Sequence, residues 1–224
     1  MCKMTLAVFC AVGLALGLAG AAQAELISVD AAAATESSAT YYGVADATQA
    51  CNNSGMSDEA SPTTTNFSID SSPTHVMTQE SSKTGWLTEN AETVSPWAIF
   101  VFSSQEPVVA EFAVWNSNWG GYPSRGVQDL YIYTSPDKTG DTWTQQGGTW
   151  TFAQAPASGN TTGESFVLSS SWTNVRRVKF DVESSYGGCN FVGVNEVRFY
   201  TPEPATLALL GLGGLGMLLS RKRK

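Results

Sequence analysis

In the stretch Asn116-Ser-Asn-Trp-Gly-Gly-Tyr-Pro-Ser-Arg125, an amide, an indole, a phenol and a guanidinium fall within eight residues. A Trp and a Tyr in one loop expose much apolar area unless they are used or folded back. Recognition of a sugar needs a flat aromatic face for its C–H groups and nitrogen donors for its hydroxyls. Asn118, Trp119, Tyr122 and Arg125 supply both kinds, and Tyr186, in a later turn, is placed to flank them. Two readings stand. Either these residues form a carbohydrate-binding surface, or Trp119 folds back as a core plug while Arg125 enters a salt bridge.

Catalytic chemistry finds less to work with. His75 is the one histidine, and it lies in a Ser/Thr-rich stretch beside Pro73, which reads as an exposed loop. No nucleophile elbow, zinc-protease helix or phosphate-cradling glycine loop occurs. The carboxylate pairs Asp58-Glu59 and Asp181/Glu183 are of a kind a glycosidase uses, but they are common on acidic surfaces. Without Lys3 and the four terminal cations, seven basic residues face 20 acidic ones, a net charge of −13. Nucleic acid is excluded as a partner, because phosphate binding needs clustered Lys and Arg.

The elements that must position these residues are strands. Trp97–Phe102 is an apolar run suited to burial on both faces. In Val108–Trp115, Val108, Ala110, Phe112 and Val114 share one face and Glu111 the other. Val127–Tyr133, Glu164–Leu168, Val175–Val182 and Val192–Tyr200 are further β-branched and aromatic runs. Val178, Phe180 and Val182 point inward, and Arg177, Lys179 and Asp181 to water. Ser135-Pro136-Asp137, Gly147-Gly148, Ala155-Pro156 and Gly187-Gly188 punctuate these runs. From Ser54 to Thr84, 14 of 31 residues are Ser or Thr, which reads as a long surface loop. Residues 25–50 form a lead into the domain, as an opening strand or a mobile arm, and the domain itself covers 51–200. The fold class is all-β, an antiparallel sandwich.

Several pieces, in order, resemble the discoidin-type (coagulation factor 5/8 C-type, galactose-binding-like) jelly roll. They are Trp97–Phe102, Phe112-Ala-Val-Trp115-Asn116, Arg125–Ser135, Val175–Phe180, Tyr186-Gly-Gly188 and Val192–Val197. Arg177 stands where that family usually carries an aromatic, and the Asp-Gly turn before the first core Trp is missing. The resemblance implies a non-catalytic, sugar-binding domain and a structural Ca²⁺ held between a last-strand Glu and a loop. Glu196 matches the first and Thr84 the second, with Asp46, Asn53 and Asp58 as further oxygen ligands by nearness in sequence. Glu196 hydrogen-bonded at the sheet end is the alternative.

Both termini carry export features. Lys3, the apolar run Leu6–Gly20 and Ala22-Gln23-Ala24 form a signal peptide over residues 1–24, cut by signal peptidase before Glu25. At the other end, Pro202-Glu203-Pro204 precedes the apolar Ala205–Ser220 and the basic Arg221-Lys222-Arg223-Lys224. Residues 201–224 resemble the PEP-CTERM sorting signal of Gram-negative bacteria. As a helix the apolar part would reach about 24 Å, a little short of a ~30 Å hydrocarbon core. A plain membrane anchor is the alternative. The resemblance implies transient tethering to the inner membrane, processing by an exosortase, and a destination at the cell surface or in the extracellular matrix. Such proteins usually accompany exopolysaccharide, which makes extracellular polysaccharide the expected ligand. A purely structural envelope or biofilm role and a secreted glycosidase are the alternatives. Cys51 and Cys189 remain after signal cleavage and can bridge in an oxidising compartment, two buried thiols being the alternative.

Intact-mass analysis of the exported protein in a host with an exosortase is expected to show a start near Glu25 and loss of everything after roughly Pro204. A mature form retaining Arg221–Lys224 would make the tail an anchor.

Overall fold

Bulky residues at alternate positions give strands that bury one face, and long runs of them give long strands. The computed structural model describes residues 25–30, 34–36, 46–52, 56, 74–75, 84–88, 95–187 and 191–202. The signal segment 1–24 and the tail from Glu203 onward, Pro204 included, lie outside the described residues. The strands are β1 (Glu25–Leu26), β2 (Thr35–Glu36), β3 (Thr74–His75), β4 (Trp86–Thr88), β5 (Trp97–Asn116), β6 (Val127–Ser135), β7 (Thr144–Gln145), β8 (Trp150–Thr151), β9 (Thr161–Thr162), β10 (Glu164–Ser185) and β11 (Val192–Thr201). All their pairings are antiparallel. One unit, Ala24–Thr201, holds them.

The segments around Ser103–Pro107 and Ser169–Asn174 read as breaks in the sequence, yet β5 and β10 run through them. The two strands pair along their whole length, with register shifts between Val167 and Trp172 and between Val175 and Arg177. At such bulges a strand bends and twists without leaving its partner. Pro107, which has no N–H to donate, sits beside one of them. The bends carry both strands from one layer of the sandwich to the other. In the front layer β2, the first half of β5, the second half of β10 and β6 pair side by side. In the back layer β11 lies between the second half of β5 and the short β1 and β4, and the first half of β10 closes the other side. The opening residues are therefore a strand: Glu25 and Leu26 pair with Thr201 and Tyr200, and Val29 then bridges to Phe102.

The core lies between the layers, with Phe100, Phe102, Phe112, Leu130, Ile132, Phe180 and Phe199 all fully buried. The expected frame over Val108–Trp115 slips at the bulge. Val109 is buried in the core in place of Val108 and Ala110, while Phe112 and Val114 face inward as expected. Trp97 and Ile99 are half-buried on the outer surface, so the Trp97–Phe102 run is not covered on both faces. Val178, Phe180 and Val182 point inward and Lys179 and Asp181 outward, as their alternation requires. Arg177 departs from that pattern: it is buried, because the turn after β6 folds over it and accepts from it through Asp137 O (2.7 Å) and Gly140 O (2.7 Å).

A third layer covers the back sheet. Met56 packs with Ala113, Trp115 and Tyr200 on its outer face, and His75 pairs with Thr161 of β9 and bridges to Met56. His75 is consequently fully buried and not the exposed loop residue expected from its Ser/Thr-rich surroundings.

Phe112→Ala, at the meeting point of the two layers, is expected to cost about 3–5 kcal/mol. Urea unfolding of the variant against the parent measures it. A loss below about 1 kcal/mol would show that the surrounding rings close the gap.

Candidate functional site: the loop end of the sandwich

The loop after β5 is closed by its first residue. The Asn116 amide nitrogen donates to Val127 O (2.7 Å) and Ala153 O (2.9 Å), and its oxygen accepts from the N–H groups of Ser117 and Val127, both at 2.9 Å. The side chain is thus satisfied on both ends in a buried setting, which ties the two ends of the loop together. Gly126 makes room for it: a Cβ there would lie 2.8 Å from the Asn116 oxygen.

Asn118 continues the same work. Its Nδ2 donates to Gly159 O (3.0 Å) and Pro156 O (3.3 Å), and its Oδ1 accepts from Asn195 Nδ2 (3.3 Å). It is fully buried. Trp119 follows it inward, 2% exposed, against Leu87 and Phe191. Neither residue is available to a ligand, so the expectation that Asn118 and Trp119 contact sugar is corrected. The amide is consumed in tying its own loop to the loop at 153–160 and to Asn195 of β11, and the indole is the plug they close over.

Gly120 and Gly121 then take positive φ, +64° and +79°, and turn the chain back outward. Tyr122 emerges 58% exposed. The Arg125 guanidinium lies 4.7 Å from the Tyr122 ring centroid and 4.9 Å from that of Phe191, stacked between the two. Rings and guanidinium hold one another by cation–π attraction. One face of Tyr122 is covered by Arg125 and the remainder of the ring meets water.

Tyr186 borders this group but serves the framework. Its N–H donates to Gly126 O (3.2 Å) and its hydroxyl to Phe152 O. Burial pushes the Tyr186 hydroxyl pKa up, and the charges of Glu164 and Asp129 push it further. At Gly187 an added Cβ would meet Ser124 Cβ at 2.3 Å, so the backbone at Gly187 presses directly on the 122–126 loop. Phe191 and Ser124, which the sequence reading did not single out, complete the end of the sandwich. A single aromatic just ahead of a strand carries no distinguishing signal.

The expected metal ligands divide. The β11–β4 ladder pairs Val194 with Trp86, and Gly85 turns tightly against Asn195, which brings Thr84 alongside Glu196. Asp46 caps the 3-10 helix Ala47–Cys51, accepting from Thr48 N at 3.1 Å. Asn53 and Asp58 lie outside the described residues. Glu196 is buried and its Oε1 faces Arg198 Nε at 4.0 Å. Among the described residues no three His, Cys, Asp or Glu side chains converge on one point. A calcium ion also takes hydroxyl and backbone oxygens, and two of the expected ligands, Asn53 and Asp58, fall outside the described residues.

The Cys51 thiol is buried and lies 3.5 Å from the carbonyls of Ala47 and Thr48. Burial pushes its pKa well up, and the charges of Glu196, Asp46 and Asp30 add to the shift. A thiol so held stays protonated and unreactive. Cys189 lies outside the described residues, so the expected bridge is neither seen nor contradicted here.

With this geometry in hand the comparisons are direct. Residues 201–224 match the PEP-CTERM protein-sorting motif. The F5/8 type C domain of a Bacteroides fragilis protein superposes with a TM-score of 0.51 at 14% identity, over 80% of this chain and 99% of that one. The CBM32-1, CBM32-2 and M60 catalytic domains of ZmpB from Clostridium perfringens give a TM-score of 0.51 at 11% identity, over 80% of this chain and 14% of that one. This is the F5/8 type C, discoidin-like fold. No curated protein matches the chain. The sorting motif marks the protein as exported.

Within this fold, Trp119→Ala is expected to cost about 3–5 kcal/mol of folding free energy, because a buried indole leaves a cavity. Tyr122→Ala, at an exposed position, is expected to stay within about 0.5 kcal/mol of the parent. Chemical denaturation of the two variants checks both. Equal losses would show that Tyr122 is part of the framework.

Proposed function

We propose that this is an exported, non-catalytic carbohydrate-binding protein of the cell surface, which engages sugar at the loop end of its sandwich through Tyr122 and Arg125. The observation that carries the reading is an exposed tyrosine held rigid by a guanidinium that is itself pinned between two rings. Ring and guanidinium together offer an apolar platform and N–H donors at fixed spacing, with little ordering left to pay on binding. The fold supports the reading, because the solved domains it resembles include carbohydrate-binding modules. The sorting motif supports the location. In this reading an exosortase removes the tail, and the released domain meets the extracellular polysaccharide of its own cell. No hydrolytic role is proposed; His75 is fully buried within the layer that covers the back sheet.

A second reading is a structural envelope protein without a defined ligand. The burial of Asn118 and Trp119 and the framework bond of Tyr186 favour it, since three of the five expected sugar contacts serve the fold instead.

A glycan array probed with the parent and with Tyr122→Ala separates them. Binding by the parent to a restricted set of sugars, lost in the variant at unchanged melting temperature, is the expected result. A parent that binds nothing on the array gives the structural reading.

A further inference from the structure

The outer face of the front sheet is built differently from that of the back sheet. Met56, His75 and their neighbours cover the back; over the front, aromatic and charged side chains reach solvent half-buried. Residues paired across antiparallel strands point to the same side. Lys179 of β10 is paired with Ile99 of β5 and Tyr133 of β6, and Asp181 with Trp97 and Tyr131. All six therefore share one surface. Lys179 Nζ lies 5.7 Å from the Trp97 ring and 5.5 Å from the Tyr133 ring, and it donates to Asp181 Oδ2 at 2.8 Å. Lys179 and Asp181 side chains are 21% and 23% exposed. The upward shift of the Tyr133 hydroxyl, by burial and then by Asp181, Tyr131 and Glu183, places those groups around the same ring.

The arrangement is thus a donor–acceptor pair flanked by two rings on either side of β10, about 10 Å apart across the strands. Glu183 and Asp129 lie further along the same edge of the layer and add negative charge. We propose that this face is a second sugar-contacting surface, which takes an extended, uncharged polysaccharide chain lying across β10. Its pyranose faces rest on Trp97 and Tyr133, and its hydroxyls bond to Lys179 and Asp181.

Three features select that occupant. The rings supply flat apolar faces, while Lys179 offers donors and Asp181 acceptors between them. Protein interfaces are depleted in Lys and Asp at their centres, and here both stand at the centre. Asp181, Glu183 and Asp129 oppose an anionic chain, and the Lys179 charge is already met by Asp181. The site is independent of the loop end, which lies at one tip of the sandwich and uses Tyr122 and Arg125.

Affinity electrophoresis of the purified protein tests it, in gels containing hydroxyethylcellulose or mixed-linkage β-glucan as neutral probes and alginate as the anionic one. Retardation by a neutral polymer but not by alginate is expected, weakened about tenfold in Trp97→Ala/Tyr133→Ala, from the worth of two stacked contacts. Lys179→Gln is expected to weaken it too, and it carries the test if the double variant does not fold. The same weakening by Trp97→Ala/Tyr133→Ala is expected in a Tyr122→Ala background, which separates failure of this site from failure of the loop-end reading. Absence of retardation by either neutral polymer overturns the proposal, as does retardation unchanged in both sheet-face variants. So does a parent that self-associates by light scattering and becomes monomeric in Trp97→Ala, since the face would then be a protein interface.

Discussion

The ring of Phe112, on the back-layer half of β5, points between the two layers of the sandwich, and the rest of the structure is arranged around it. It stacks on Phe166 at 4.7 Å and on Trp172 at 5.6 Å, both from β10. Trp150 meets it edge-on at 5.4 Å, and Phe152, Phe180 and Phe199 approach within 6.4 Å. One side chain thereby touches rings from β8, both halves of β10, β11 and the segment after β8. Offset-stacked and edge-to-face contacts are each favourable beyond the area they bury. Their geometry also fixes where each strand can lie. The register shifts in the β5–β10 ladder lie to one side of Phe112, between it and the front-layer half of β5. They let two long strands bend around it without giving up their pairing.

From that cluster the chain reaches the loop end in four residues, and control passes from rings to amides. Asn116 and Asn118 sit at the top of the core, where the sandwich closes and backbone groups of several loops would otherwise be buried without partners. Their bonds reach Val127, the first residue of β6, and Ala153, Pro156 and Gly159 of the loop between β8 and β9. Leaving such buried carbonyls unsatisfied costs about 1–3 kcal/mol each. The loop is therefore held by polar closure on its inner half, and only its outer half, from Gly120 onward, is free to present side chains.

What could be read in the sequence follows from this division. Period-two alternation exposed the inward face of the second half of β10, because it buries one side against the core; β6 and β11 were legible as β-branched and aromatic runs. Ser103–Pro107 and Ser169–Asn174 read as loops because their composition is polar, and composition does not show that a strand bends in place. The slip from Val108 to Val109 is invisible for the same reason: a bulge leaves no mark in hydrophobicity. Trp119 was ambiguous by its type alone. What decides its direction is the fit of Asn118 to carbonyls 38 and 41 residues away, a tertiary relation with no local signature. His75 was misread because a Ser/Thr-rich stretch normally stays in solvent, whereas here it lends a short strand that covers the back sheet.

The same division separates stability from recognition. Asn116, Asn118 and Trp119 are buried and bonded, so altering them opens the end of the core. Tyr122 and Arg125 stand on that closed base and touch the framework through Phe191 and the turn at Gly187. A guanidinium stacked between two rings has few other positions to adopt, so the outer half of the loop is preorganised although it projects into water. On the front sheet the same economy appears in another form. The strands fix where Trp97, Lys179 and Tyr133 project, and the core beneath them is complete without their outer faces. Side chains of this kind can change their contacts with a ligand while the bonds and rings that hold the fold stay as they are.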